Sequence, residues 1–520
     1  MESKQSGRPV FEPSRRFYWA FFALCVLALS ASFSSTSLSI AVTTIAQEFD
    51  LAEPEAFWLG SSAALASTVL QPCSAALSDV LGRKGALTLT ATSLGAGSLI
   101  AAVAPSYAVL ILGRSLQGIG SGGISAITDI IITDIVPLRF RGQWFAYISV
   151  PWAIGTAVGP ILSGVLTNHG LWRWICAINV ITCAAAIPLC VWALPPLPRK
   201  QDWMARLRSV DYMGFFILCG SLIAILVPIM QATVVYPWRD VRTLLPLMLG
   251  IAGLFVFLFF EWRIAKCPLV PLNRFQNRTC ILVFLCTALH GLILWCLMYY
   301  LPVYYEAVKD FTALKSGLAV LPETLTIVPA SMAIGTLVGW TGRYRWAIWS
   351  GWALSTAGLG LLYLLDESTS TVGWIFINMP AGFGIGILFG AMGFAIQAAV
   401  DAESVPVAVT LYSFWRAFGA TLGISIGSSI FASEIPQAPS LAGRAEPGAT
   451  ASTIYARSAL GFLSMNKGAR VYALRKIWIF CTAICGLAML ASFGIQSFSL
   501  DQPLLKLKEE EINESEETIV

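Results

Sequence analysis

Stretches of about twenty consecutive apolar residues recur along almost the whole of this 520-residue chain, and that recurrence decides what it can become. One such run fits a buried core helix. A series of them fits a lipid bilayer. In lipid every backbone polar group must be satisfied within the protein, so only helices and closed barrels can span. The runs do not alternate apolar and polar residues, which excludes a barrel. The reading is an all-α membrane protein with fourteen helices, at 18–42, 56–77, 86–104, 108–132, 143–166, 172–193, 212–232, 244–261, 280–302, 316–339, 346–365, 373–397, 406–431 and 477–497. Composition agrees: 12% of residues are charged, about half the share of a soluble domain.

An even number of spans puts both termini on one side of the membrane. That side then carries Arg15, Arg16, Arg83, Lys84, Arg139, Arg141, Arg343 and Arg345, among other basic residues. The opposite short loops carry only Arg173, Arg239, Arg242, Lys309 and Lys315. The basic side reads as cytosolic. The expected organisation is a tail (1–17), a six-helix bundle (18–193), a Pro-rich basic linker (194–211), two inserted helices (212–262) and a loop (263–279). A second six-helix bundle follows (280–497), with a long external loop (432–476), and then an acidic tail (498–520). The second half of the external loop has apolar residues near helical spacing and is expected at the membrane surface. Asn277 and Asn513 match glycosylation acceptors but fall on the cytosolic side.

The halves share internal features. "LGRK" at Leu81–Lys84 has a counterpart in "TGRY" at Thr341–Tyr344, so that Gly342 and Arg343 match Gly82 and Arg83. Helices 4 and 12 carry glycines four apart, Gly118 and Gly122 against Gly382, Gly386 and Gly390. Helices 5 and 13 do the same with Gly155, Gly159 and Ser163 against Gly419, Gly423 and Gly427. Spacing of four puts each ladder on one face, where two backbones can approach. Paired halves of this kind are the pattern of secondary transporters.

Several motifs can now be matched to a family. "LSDVLGRKGAL", "ILGRSLQGIGSGG", "GTAVGPILSG", "LWRWICAIN", "YYLPVYYEAV" and "RAFGATLGISIG" resemble the fourteen-helix drug:proton antiporters of the major facilitator superfamily, particularly fungal efflux pumps. The likeness implies two six-helix bundles plus two inserted helices. It also implies that Gly155, Gly159, Pro160, Ser163 and Gly164 form the antiporter motif, which is similar to that of exporters and not of uptake carriers. The chain departs from the pattern in three places. Ala75 stands where the signature loop begins with Gly, Val80 where a basic residue follows the Asp, and Ser34 where many relatives carry an Asp in helix 1.

The candidate residues follow from where polar groups sit in apolar runs. Positive charge alone sets orientation, so Arg83 and Lys84 need no further role, but topology requires neither Asp79 nor Gly82. A carboxylate at a helix end can accept bonds from a neighbouring helix N-terminus. Asp79, Gly82, Arg83, Lys84, Gly342 and Arg343 are therefore read as a conformational latch, made in one state and broken in another. Arg114 lies about two turns inside helix 4, where a charge is expensive and usually functional, and Gln117 shares its face. Asp129, His290 and Glu323 are the titratable groups within spans. Glu323 lies about 10 Å inside helix 10 by the helical rise and is the candidate proton carrier. Arg416 in helix 13 has the logic of Arg114, with the family likeness behind it. Pro160 is expected to bend helix 5, and the small stripe to let the opposite half slide close. Trp295, Tyr299, Phe389 and Phe394 are candidates for an apolar substrate pocket.

Other functions find little support. Gly118, Gly120 and Gly123 spell a dinucleotide fingerprint, but inside a span and after no strand. No P-loop appears, so ATP is not implied. No nucleophile–base pair, metal-ligand spacing, cofactor motif or basic patch with interleaved aromatics is seen, which leaves no case for an enzyme or for nucleic acid. The expected function is proton-coupled efflux of small hydrophobic compounds, such as drugs, toxins or fungal secondary metabolites, by alternating access at the plasma membrane. The alternatives are uptake or vacuolar/siderophore transport on the same fold, possible at the vacuolar membrane, and a non-transporting membrane sensor.

Overall fold

The computed structural model describes residues 13–51, 53–194, 210–232, 236–433 and 467–500. They form fourteen α-helices: α1 (Arg15–Glu48), α2 (Glu53–Leu70), α3 (Ser74–Ala102), α4 (Tyr107–Ile135), α5 (Leu138–Asn168), α6 (Arg173–Ala193), α7 (Tyr212–Gln231), α8 (Val241–Arg263), α9 (Arg278–Ala307), α10 (Ala313–Thr341), α11 (Arg345–Leu362), α12 (Thr371–Ala398), α13 (Val405–Ser433) and α14 (Lys467–Ser492). Twelve stretches of the described residues are long and apolar enough to cross a membrane, and one of them, Trp58–Ala102, covers both α2 and α3. The chain is a multi-pass membrane protein.

Local chemistry sets the helix ends. Ser14, Asp211, Asp240, Asn277, Thr312 and Ser370 each cap a helix by accepting a bond from a backbone N–H two or three residues on. The turn expected between the second and third spans is concentrated on one residue. Gly82 has φ 75° and ψ 157°, a conformation open to glycine, and breaks α3 there. Residues 74–81 thus continue the line of α2, and 83–102 return. Gly342 ends α10 in the left-handed region, φ 66°.

The last helix differs from expectation. It runs Lys467–Ser492 and not 477–497. Lys467, Arg470, Arg475 and Lys476 lower the apolar character of its first turns, yet they have work there, and Lys467 pairs with Asp310. Arg470 donates to the Ala307 carbonyl at 2.6 Å and Arg475 to that of Tyr363 at 2.8 Å. The rest of the expected surface segment lies outside the described residues, as do most of both tails and most of the linker.

The repeat seen in the sequence is also a repeat of packing. A Cβ on Gly118 of α4 would overlap the Ala63 carbonyl of α2; on Gly382 of α12 it would overlap the Glu323 carbonyl of α10. Gly155 of α5 lies against Ser32 of α1, and Gly419 of α13 against Ala288 of α9. Helices α1–α6 and α9–α14 therefore repeat one arrangement. The inserted α7 packs on α2 of the first half and α13 of the second. It buries Leu218, Leu222 and Leu226 there, and the Cys219 thiol lies 3.9 Å from the Val69 carbonyl. Helix α8 turns most of its surface outward, including Met248, Phe255 and Phe259.

Candidate functional site

Four polar groups interrupt the apolar interior: one at the basic end of the bundle, one between the halves a little deeper, and one inside each half.

At the basic end, Arg83 is held by two carboxylates. It reaches Asp79 at 2.6 Å and Asp134 of α4 at 2.8 Å, and donates to Ser78 Oγ at 2.6 Å. Asp79 also lines a cavity of about 490 Å³ shared with Glu261 of α8, Arg274, and Ser404 and Val407 at the start of α13. Lys84 is half-buried beside this group and Arg343 is exposed. The turn at Gly342 carries no ion pair among the described residues, so the second half repeats the turn without the acids. Arg141, which the sequence reading counted only toward orientation, is buried here. It donates to the Thr133 and Val136 carbonyls at 2.6 and 2.7 Å, closing the end of α4, and to Gln397 Oε1 of α12 at 2.9 Å. Gln143 donates to Thr336 at 3.1 Å. Between these bonds, the backbones of Gly142 on α5 and Gly335 on α10 touch, and Phe394 wedges against Gly142. Phe394 is thus packed between the halves and fully buried.

A little deeper, about 9 Å inside the basic end of α4, Asp129 accepts a hydrogen bond from Ser413 of α13 at 2.5 Å. Arg416, three residues on, lies with its guanidinium 4.4 Å from the Phe389 ring centre and 5.1 Å from that of Tyr412. It is within electrostatic reach of Asp129, while its Nη1 has no acceptor. His290 bonds through Nε2 to the Ile385 carbonyl at 3.1 Å and sits against Phe389. Trp152 of α5 meets Trp295 of α9 edge-on at 6.4 Å, across the halves. Tyr299 is 52% exposed and faces outward from its helix bundle. The sequence candidates Asp129, His290, Phe389 and Arg416 are therefore brought together, Trp295 contacts Trp152 across the halves, and Tyr299 and Phe394 are not among the group.

Within the first half, Arg114 is 3% exposed. It donates to the Leu59 carbonyl and the Ser34 carbonyl at 3.3 Å each, and to Gln117 Oε1 at 2.7 Å; Gln117 in turn donates to Ser98. No carboxylate pairs with it among the described residues. Within the second half, Glu323 is fully buried and neither carboxyl oxygen has a hydrogen-bond partner.

The glycine stripe of α5 lies elsewhere than expected. Gly155 and Gly159 pack on Ser32 and Thr36 of α1, in the same half, and not on the opposite half. Pro160 lies inside the helix, Ser163 is buried with its hydroxyl unpartnered, and Gly164 is half-buried.

The side-chain bonds that join the two halves among the described residues lie at the basic end or just inside it. At the far end the bonds stay within one half: Glu48 with Trp172 and Arg173, Tyr304 with the Asp366 carbonyl, and Lys309 with the Glu367 carbonyl. The described molecule is closed at the basic end.

The comparisons fit this architecture. The family model described as Major Facilitator Superfamily matches residues 24–424. The chain is 38% identical to "MFS transporter L2" of Phoma sp., over 94% of this chain and 84% of that protein. It is 35% identical to "MFS-type efflux pump MMF1" of Pseudozyma antarctica, over 84% and 80%. It is 31% identical to the "Acurin A biosynthesis cluster MFS-type transporter" of Aspergillus aculeatus, over 94% and 91%. Among solved structures, the human organic anion transporter MFSD10 (TETRAN) superposes with a TM-score of 0.58 at 16% identity, covering 94% of this chain and 100% of that one, which bears on the fold alone. A match over most of the chain, together with two packed repeats joined by polar contacts between the halves, places this protein in the Major Facilitator Superfamily, among transporters and not enzymes.

Proposed function

We propose that the protein exports small, largely apolar compounds, such as toxins or secondary metabolites, in exchange for protons across a fungal plasma membrane, with both termini in the cytosol. Relatives named efflux pumps and biosynthesis-cluster transporters support the class of cargo. The observation that carries the coupling is Glu323, whose two oxygens are buried without a partner while the basic end is closed. A buried unpaired charge costs several kcal/mol, so the site accepts Glu323 as the neutral acid in this state. An exporter needs that order: cytosolic side shut, proton loaded from outside, cargo released outward. Proton release to the cytosol would then restore cargo affinity after the halves rock. Arg83, Asp79 and Asp134 act in this reading as a latch of the cytosol-closed state. Trp152, Trp295, Phe389 and Arg416 face the cargo.

The test is efflux of rhodamine 6G from yeast lacking its own pumps. The protein should lower dye accumulation, a protonophore should abolish the effect, and Glu323→Gln should remove concentrative efflux while leaving downhill dye exchange. Concentrative efflux by Glu323→Gln at normal surface expression would overturn the assignment.

A further inference from the structure

The two halves share one helix crossing and fill it with opposite chemistry. In the first half the Gly118 turn of α4 lies on the Ala63 turn of α2; in the second the Gly382 turn of α12 lies on the Glu323 turn of α10. One turn before Gly118 stands Arg114, and one turn before Gly382 stands Asn378. Arg114 is supplied with acceptors by its own half. Its counterpart crossing has acceptors left over. Glu323 and Asn378 are both 0% exposed, and Glu323 Oε1, Glu323 Oε2 and Asn378 Oδ1 receive no donor.

The geometry around them is fixed. Asn378 Nδ2 donates to Tyr305 Oη of α9 at 2.6 Å, which leaves Oδ1 as the unused end of the amide. Tyr305 is fully buried, stacks on Phe311 and meets Trp374 edge-on. Helices α10 and α12 run parallel, and a helical side chain leans toward its own N-terminus, so Glu323 leans toward the level of Asn378. Pro322 has no N–H, and the Leu318 carbonyl lacks its usual helical donor. Tyr305 is the titratable side chain recorded within electrostatic reach of Glu323; α12 brings Asn378 and Gly382, and no arginine or lysine is recorded against it.

We infer that α9, α10 and α12 enclose a site for a small monovalent cation, with Glu323 as its charged ligand and Asn378 and Tyr305 as positioning residues. The cation serves as coupling ion only if the export reading above holds; the site itself does not depend on that reading. A proton makes Glu323 the neutral acid, whose O–H gains Asn378 Oδ1 as acceptor. A sodium ion would instead take the same three oxygens as ligands. The proton binds as a covalent O–H and sodium by coordination, but either one neutralises the same buried acceptors.

The experiment measures thermal unfolding of the purified full-length protein in lipid nanodiscs. One arm is a pH series in choline chloride; the other is a sodium series at fixed alkaline pH. Binding to the folded state raises its stability by mass action. The wild type should be stabilised by acid or by sodium, and Glu323→Gln should lose that response. Asn378→Ala and Tyr305→Phe should each raise the half-saturating cation concentration about tenfold. If Glu323→Gln does not fold, Glu323→Asp, which keeps the carboxyl one methylene back, should show the same weakening. Stabilisation by acid supports the site with the proton as its ion. Stabilisation by sodium alone supports the site and overturns the proton part of the export reading. A response that survives Glu323→Gln, or one untouched by both Asn378→Ala and Tyr305→Phe, overturns the site. If the response follows the carboxyl yet dye efflux by Glu323→Gln stays concentrative, the site stands and the coupling role falls.

Discussion

Asp129 on α4 and Ser413 on α13 share a 2.5 Å hydrogen bond that joins the two halves just inside the basic end. Arg416 lies on the same face of α13, so both its charge and the Ser413 hydroxyl bear on one carboxylate. Alternating access requires this contact to break whenever the basic end opens.

The first prediction follows from that bond. Ser413→Ala should weaken the closed basic end by about 1–3 kcal/mol, the worth of a hydrogen bond to a charged group. A single cysteine placed at Thr336, in a background freed of native cysteines, reports the opening. Its labelling by a membrane-impermeant thiol reagent applied to the basic face should speed up severalfold in Ser413→Ala. Equal labelling rates would mean that the bond does not hold the halves together.

The second concerns the two acids on Arg83. Asp79 is 61% exposed and Asp134 only 20% exposed in their side chains. An exposed ion pair contributes about 0–1 kcal/mol, whereas removing one partner of a more desolvated pair costs more because the other charge is left uncompensated. Asp134→Asn should therefore slow dye efflux more than Asp79→Asn, with both proteins folded and at the surface. Arg83→Lys should not restore either, because a point charge cannot span two carboxylates as the guanidinium fork does. Normal efflux in both Asn variants would leave the cluster with no role beyond orientation.

These contacts also show what the sequence could and could not reveal. The fourteen helices, the repeat and the glycine turn are written in composition and spacing, which are local. Which surface a residue meets is not local. Asp129 and Asp134 are five residues apart, which puts them about 140° apart around α4. One faces Ser413 across the halves and the other faces Arg83. Asp134 had one available signal: a carboxylate in the last turn of a helix opposes the helix dipole and needs a cation nearby. The α5 stripe is similar. Spacing of four names a face, but not the helix it meets, and α1 rather than the opposite half lies there. The start of α14 was hidden because its basic residues bond the carbonyl ends of α9 and α11, a contact between segments remote in sequence.

The third prediction uses that stripe. A Cβ on Gly155 would overlap Ser32 Oγ and lie 2.8 Å from the Leu29 carbonyl. Gly155→Ala should then cost about 1–3 kcal/mol by overpacking, read as a lower unfolding midpoint in detergent. Ser32→Gly should return part of that loss, since it removes the side chain in the way but not the carbonyl. Because the strain lies inside one half, cargo affinity of the folded fraction should be unchanged. A variant as stable as the wild type would show that α1 and α5 can part at little cost.

The last prediction is a pH dependence at the far end of the bundle. Glu48, at the end of α1 and beyond its apolar run, accepts from Trp172 and pairs with Arg173 at 2.7 Å. Partial burial pushes its carboxyl up, but the Trp172 and Arg173 donors outweigh that and hold it below the usual glutamate value. A group lowered on folding stabilises the folded state above its unfolded value, and that contribution is lost as pH falls through its folded value. The window is therefore acidic, below about pH 4. Both partners are well exposed, at 43% and 39%, so the effect is small. Comparing the unfolding midpoints of wild type and Glu48→Gln along an acid series isolates it. The wild type should be the more stable near neutrality, and the two should converge as the carboxylate protonates. A gap that stays constant down the series would mean that Glu48 acts through packing and hydrogen bonding alone, and that its charge contributes nothing to joining α1 to α6.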